Sequence, residues 1–214
     1  MALFIRQAIR NSQERLGVET IDLFQIHDVE TLEQVLPSGG VVEALVEARE
    51  AGSIRYFGLA TRFHDLLETA VLHGEFDTIL TYADYTPLNP SASDLITLAA
   101  ARGLGIINGS PLAFGLLTGQ DPRTNAHLNG EWRLLRRRAS QLFDFCQQRA
   151  VPLLAVAMQY PFQNPGINIT LTGAASPEEL QKTLTACQTE LPPDFWQELH
   201  AELGVPLPFA ASNS

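Results

Sequence analysis

His27 closes the short apolar run Ile21–Ile26, and the carboxyl end of a strand in an α/β fold is where chemically active side chains collect. An imidazole there can donate from one nitrogen while a neighbour fixes the other. Asp28 stands in place to be that neighbour, or it is a loop or helix-capping carboxylate. Tyr82 and Tyr85 sit at the end of another strand in TYADYTPL, and GSPLAFGLL (109–117) follows a third. By composition alone, Gly-Ser-Pro is a turn. TGAASPEEL (172–180) opens a helix, with Ser176 as N-cap, Pro177 at the first helical position and Glu179 completing a capping box. A helix N-terminus is also a natural phosphate site, because its free N–H groups and dipole favour an anion. The basic run RLLRRR (133–138), on a helix with Trp132 and Leu142, reads as a solvated face. His64, His73, His127 and His200 show no ligand spacing, so no metal site is expected.

Composition narrows what these residues can serve. The chain has 214 residues, 45% of them hydrophobic and 18% charged, with mean hydropathy +0.02, which is ample apolar material for a core. Fourteen Lys+Arg against 24 Asp+Glu give a formal charge of −10. Nucleic acid and anionic membranes need a basic footprint, so neither is expected as a partner. Cys146 and Cys187 fall in helix-type segments without metal-ligand or disulfide-scaffold spacing, as expected of buried thiols in a reducing compartment. The N-terminal stretch is interrupted by charge every few residues and no apolar run reaches membrane length, so the chain is expected in the cytoplasm.

The elements that must position these residues alternate. Helix-type segments are expected at Leu3–Leu16, Val41–Ala51, Asp65–Leu72, Ser93–Ala101, Trp132–Arg149, Leu153–Tyr160, Pro177–Cys187 and Asp194–Leu203. Strands are expected at Ile21–Ile26, Arg55–Leu59, Thr78–Tyr82, Leu104–Ile107 and Ile169–Leu171, with a long loop at Asn108–Gly130 and a frayed tail over 205–214. This is the pattern of an α/β fold with a parallel sheet and helical crossovers, in a single domain. A complete (β/α)8 barrel needs about 250 residues, or roughly 31 per unit. Five units fit this length, either as an open doubly wound sheet or as the later part of a barrel.

Four segments in order resemble the aldo-keto reductases. They are ERLGVETIDLFQIHDVE (14–30), AREAGSIRYFGLA (48–60), GLGIINGSPLAFGLLTG (103–119) and ITLTGAASPEELQKTL (169–184). QIHDVE together with SPLAFGLLTG is most similar to the branch of L-galactose, L-fucose and D-threo-aldose dehydrogenases. The resemblance implies a partial (β/α)8 TIM barrel, strands four to eight with the first three units absent. The family's catalytic Asp, Tyr and Lys belong to that earlier part.

The resemblance also implies roles. His27 corresponds to the histidine that orients the substrate carbonyl and supports proton transfer by the family's tyrosine. Thr61 follows Ala60 where the family often has Ser-Asn reaching the nicotinamide carboxamide, and Tyr82 either lines the nicotinamide site or packs under a loop. Ser110, Leu112 and Gly115 match the pyrophosphate-holding segment, and Gly109 stands where many members have a stacking aromatic. Gly173, Ser176 and Lys182 match the segment that meets the adenosine end. Lys182 is its single cation and Glu179 would repel a 2′-phosphate, so of NAD and NADP the former is favoured. The implied activity is hydride transfer between a nicotinamide and an aldose or small aldehyde. The alternative is a non-catalytic remnant that binds nucleotide or acts as an interaction module. Loss of three strands would expose the edges of strands four and eight to self-association.

Overall fold

The computed structural model describes residues 2–27, 29, 31, 40–125 and 132–208. Its strands are β1 (Ile21–His27), β2 (Ile54–Ala60), β3 (Thr78–Tyr82), β4 (Gly105–Gly109) and β5 (Ile169–Leu171). Its helices are α1 (Ala2–Leu16), α2 (Val41–Glu50), α3 (His64–His73), α4 (Ser93–Ala101), α5 (Arg133–Gln148), α6 (Leu153–Phe162), α7 (Pro177–Gln188) and α8 (Phe195–Leu203). The strands form one sheet in sequence order, β1-β2-β3-β4-β5, as a βα succession with short crossovers requires. Among the described residues no helix is long and apolar enough to cross a membrane.

Most expected elements appear within a residue or two of their sequence bounds. The larger shift is β4, which runs on to Gly109 instead of stopping at Ile107. The Gly109 carbonyl accepts the Ala83 N–H at 3.0 Å, so pairing continues two residues into the expected loop. Two 3-10 turns, Ala113–Gly115 and Pro122–Thr124, occupy part of what remains of that loop. Asp28, His127 and residues 209–214 of the expected frayed tail lie outside the described residues.

The chain folds as two compact units, Met1–Thr81 with Asp94–Ile107 and Tyr82–Ser93 with Asn108–Ser214. In the first unit β1 and β2 pair in parallel from Ile21↔Ile54 to His27↔Ala60, and β2 and β3 from Gly58↔Thr78 to Ala60↔Leu80. Arg49 on α2 locks this unit: it bonds Glu75 Oε2 at 3.1 Å and Asp77 Oδ2 at 3.3 Å and lies over the Phe57 ring at 4.9 Å. Asp77 Oδ2 also accepts the Phe57 N–H at 3.0 Å, so one carboxylate ties a helix to two strands. Gly58 is required by close approach. A Cβ there would collide with Thr78 Oγ1, and would stand 2.6 Å from the Thr78 carbonyl and from Gln25 Oε1. Gln25 donates to Thr78 Oγ1 at 2.9 Å across that gap.

The second unit has its own core. Phe195 is fully buried, edge-on to Phe145 at 5.5 Å and to Trp196 at 5.4 Å, within a cluster that includes Leu142, Cys146 and Val156. Burial pushes the Cys146 thiol up to about 12, with Arg149 opposing, as expected of an inert interior thiol. Cys187 is only partly buried. Tyr85 is a second anchor: its hydroxyl donates to the Pro208 carbonyl at 2.8 Å and accepts from Asn164 Nδ2 at 2.8 Å. Tyr160 lies against it at 5.3 Å and donates to the Pro206 carbonyl at 3.1 Å, so the chain stays tied as far as Pro208.

Two outcomes follow from these contacts. Gly58→Ala should cost about 1–3 kcal/mol by overpacking, read as a lower urea midpoint at unchanged slope. Burial raises the pKa of both Tyr85 and Tyr160, in Tyr85 against the lowering effect of the Asn164 hydrogen bond. Their protonated forms are therefore favoured in the fold. Below the ordinary tyrosine range of about 10 this has no effect, and above it the unfolded chain loses protons that the native chain keeps, so stability falls with rising pH. Tyr85→Phe should cost about 1–2 kcal/mol at pH 7 and make that alkaline decline shallower, as measured by urea unfolding from pH 7 to 10.5.

Candidate cofactor and carbonyl site

His27 is the last residue of β1 and is exposed, in register with Ala60 at the end of β2. Thr61 follows directly. Its N–H donates to the Leu80 carbonyl at 3.2 Å, its hydroxyl accepts the Phe63 N–H at 3.4 Å, and the residue is buried. The first unit therefore presents an imidazole at a strand end beside an Ala-Thr step whose hydroxyl is already engaged.

In the second unit Tyr82 is half-buried where β3 ends. The next residue, Ala83, has φ +60, and its N–H donates to the Gly109 carbonyl, so the Tyr82–Ala83 step is held against the start of the 109–117 loop. That loop is strained. Ser110 (φ +53), Ala113 (φ +46) and Phe114 (φ +56) all hold left-handed backbone, which costs a non-glycine residue about 1–2 kcal/mol each. Gly115 takes φ +87 at no such cost. Clustered strain of this kind persists only where the surroundings enforce it, and it marks functional loops.

The loop's shape explains what the strain achieves. Leu112 at φ −85, ψ 8 precedes Ala113 at positive φ, the alternation that turns successive backbone N–H groups to one side and forms an anion-binding concavity. The Ala113 N–H is engaged by the Ser110 carbonyl at 3.1 Å, whereas the Leu112 N–H donates to no group among the described residues. Ser110 and Gly115 are exposed, and a Cβ on Gly115 would meet nothing nearer than Asn125 Nδ2 at 3.9 Å. Open backbone, an unengaged amide and a small exposed hydroxyl fit the phosphates of a dinucleotide.

The segment after β5 gives the other candidates. Gly173 is exposed with open space where a Cβ would stand, and Lys182 is exposed on α7. Ser176 caps α7, its Oγ accepting the Glu179 N–H at 3.2 Å. The Glu179 carboxylate reaches back to the Ala175 N–H at 2.8 Å, one residue ahead of the usual capping-box partner. Two groups that sequence reasoning missed are Asn108 and Phe114. Asn108 is fully buried at the end of β4, with Nδ2 donating to the Tyr85 carbonyl at 3.4 Å and Oδ1 without a partner among the described residues. Phe114, partly exposed, meets Trp132 edge-on at 4.7 Å. An asparagine inside an apolar strand was the signal for the first; a left-handed phenylalanine leaves none in sequence.

Comparison with known proteins gives the lineage. The chain is 30% identical over 211 residues to D-threo-aldose 1-dehydrogenase of Pseudomonas, covering 95% of this chain and 63% of that one. It is 30% identical to L-galactose dehydrogenase of Arabidopsis thaliana, over 87% of this chain and 58% of the relative. It thus spans about three fifths of the length of these curated relatives. An aldo-keto reductase of Bacillus halodurans in its holo form superposes with TM-score 0.80 at 20% identity, covering 99% of this chain and 70% of that one, a likeness of fold. The model of the aldo/keto reductase family matches residues 3–202. That match takes in nearly the whole sequence, and the chain belongs to the aldo/keto reductase family.

Proposed function

We propose that the chain serves a nicotinamide-dependent oxidoreductase that moves hydride between NAD(P) and the carbonyl carbon of an aldose or small aldehyde. Its five βα units stand as strands four to eight of a (β/α)8 barrel. The observation that carries the reading is the 110–115 loop, whose Leu112 amide, unengaged among the described residues, exposed Ser110 and left-handed Gly115 suit a pyrophosphate. The relatives named as aldose dehydrogenases supply the substrate class.

Each residue has a task in this reading. Ser110, Leu112 and Gly115 hold the pyrophosphate through backbone and a short hydroxyl. Tyr82 lines the nicotinamide, Thr61 serves its carboxamide end, and Gly173, Ser176 and Lys182 receive the adenosine end. His27 donates a hydrogen bond to the carbonyl oxygen, drawing charge toward it as the carbon accepts hydride. A bound nicotinamide supplies or takes up that hydride. The accompanying proton comes, in the family, from a tyrosine that none of the four matched motifs contains. We therefore assign dinucleotide binding and carbonyl orientation to these residues.

NAD is preferred over NADP. The bond from the Ala175 N–H fixes the Glu179 carboxylate beside the start of α7, next to Glu178, where a 2′-phosphate would meet negative charge.

Titration of the purified chain with NADH and NADPH, followed by nicotinamide fluorescence, tests both statements. NADH should bind more tightly, and Glu179→Gln should bring NADPH closer by about fivefold, on the order of 1 kcal/mol of charge repulsion. His27→Ala should leave the NADH affinity unchanged, because the imidazole acts on the carbonyl. No response to either nucleotide would overturn the assignment.

A further inference from the structure

The second unit holds a cavity of about 240 Å3 lined by none of the residues assigned above. It lies between the turn from β3 to α4, one side of α5, and the segment that follows α8. Pro87 and Pro90 come from the first, Arg138 and Gln141 from the second, Val205 and Pro206 from the third. Arg138 and Gln141 stand three residues apart and so share one side of the helix. The basic run 133–138 is therefore not wholly a solvated face, because its last arginine forms part of a cavity wall.

The acceptors of that wall are engaged, and its side-chain donors are not. The Leu88 carbonyl accepts from Arg138 Nη1 at 3.0 Å, the Pro90 carbonyl from the Ser93 N–H at 3.1 Å, the Val205 carbonyl from His200 Nδ1 at 2.9 Å and the Pro206 carbonyl from the Tyr160 hydroxyl at 3.1 Å. The prolines have no N–H to offer. What remains is Arg138 Nε and Nη2 together with the Gln141 amide, none of which has a partner among the described residues. No carboxylate lines the cavity, and the two carboxylates of α8, Glu198 and Glu202, are both held by Arg149.

These observations define an occupant. The Nε–Nη2 edge of a guanidinium is a planar pair of parallel donors, the match for a carboxylate. Proline rings and Val205 beside it suit a carbon body. The volume is about eight waters at roughly 30 Å3 each, and lies below the roughly 300 Å3 at which sites for drug-sized ligands begin. That admits one ring or branched chain with its acid group, and it is too small for a peptide segment. At a formal charge of −10 the chain has no general attraction for anions, so selection here is local.

We propose that this cavity binds a small organic carboxylate, its acid group bidentate on Arg138 and hydrogen-bonded by the Gln141 amide, its carbon body between Pro87, Pro90 and Val205. Such binding requires no dinucleotide on the 109–117 loop.

Benzoate titrated into the purified full chain, followed by amide chemical shifts, tests it. The amides of 88–89, 138–142 and 203–205 should shift saturably. Benzamide, which has the same shape without the charge, should bind at least about tenfold more weakly, and inorganic phosphate should not compete. Arg138→Gln should weaken benzoate by at least about tenfold and Arg138→Lys by less, since lysine keeps the charge and loses the fork. Arg138 also holds the Leu88 carbonyl, so Gln141→Leu, at an exposed position, is the variant that spares the fold. It should weaken benzoate about fivefold, the worth of one hydrogen bond, at an unchanged thermal midpoint. Shifts that do not saturate, or that are confined to the surroundings of His27, would overturn the proposal. So would equal binding of benzamide, displacement by phosphate, or unchanged benzoate affinity in Gln141→Leu. The readout is benzoate alone, so its failure is separate from failure of the nicotinamide titration.

Discussion

A parallel strand cannot reach its neighbour by a tight turn, and its hydrogen-bonding edge must be filled from both sides. That constraint organises the molecule. It forces a helix between strands, as in the successions β1-α2-β2-α3-β3-α4-β4 and β5-α7. It brings His27 into register with Ala60, because successive parallel strands of equal length end together. It also sets the strands side by side in the order of the sequence, β1 to β5.

At the ends of β3 and β4 the same constraint appears as strain. The chain must leave β3 and β4 and turn at once, and it does so through Ala83 and Ser110 at positive φ, with no glycine in either place. Each would relax if replaced by glycine, so the backbone is held by its neighbours: the Ala83 N–H on the Gly109 carbonyl, and Asn89 Nδ2 on the Ala83 carbonyl at 3.3 Å. A loop fixed in this way presents its amides without the ordering cost that a flexible loop would incur on meeting a phosphate.

The sequence made the strands and helices legible because their periodicities and caps are local. Thr78–Tyr82, Ser93–Ala101 and Ile169–Leu171 appear with the bounds expected, and Ser176 caps α7 as its spacing implied. Tertiary facts were not legible. β4 outran its apolar run because Gly109 gained a partner from β3's end, a bond no local pattern announces. The engagement of Thr61 with Phe63, the tie between Tyr85 and Pro208, and the left-handed Phe114 all depend on residues brought together by folding or on backbone angles that composition does not encode. The candidate cofactor residues were named through resemblance. The geometry adds why the middle group, Ser110 to Gly115, is suited to an anion, and leaves His27 as an exposed strand-end imidazole whose work depends on what it meets.

The division of labour within the chain follows from its cores. The 109–117 loop and the start of α7 both belong to the unit built around Phe195 and Phe145, while His27 belongs to the unit locked by Arg49 and Asp77. The candidate groups on the 109–117 loop and α7 and the strand-end imidazole are therefore held by different sets of buried contacts. A substitution that loosens one core by about 1–2 kcal/mol need not disturb the other, since sites without shared partners behave nearly additively. The shape of the 109–117 loop then depends on the packing beneath Phe195, and the placement of His27 on the register of β1 with β2.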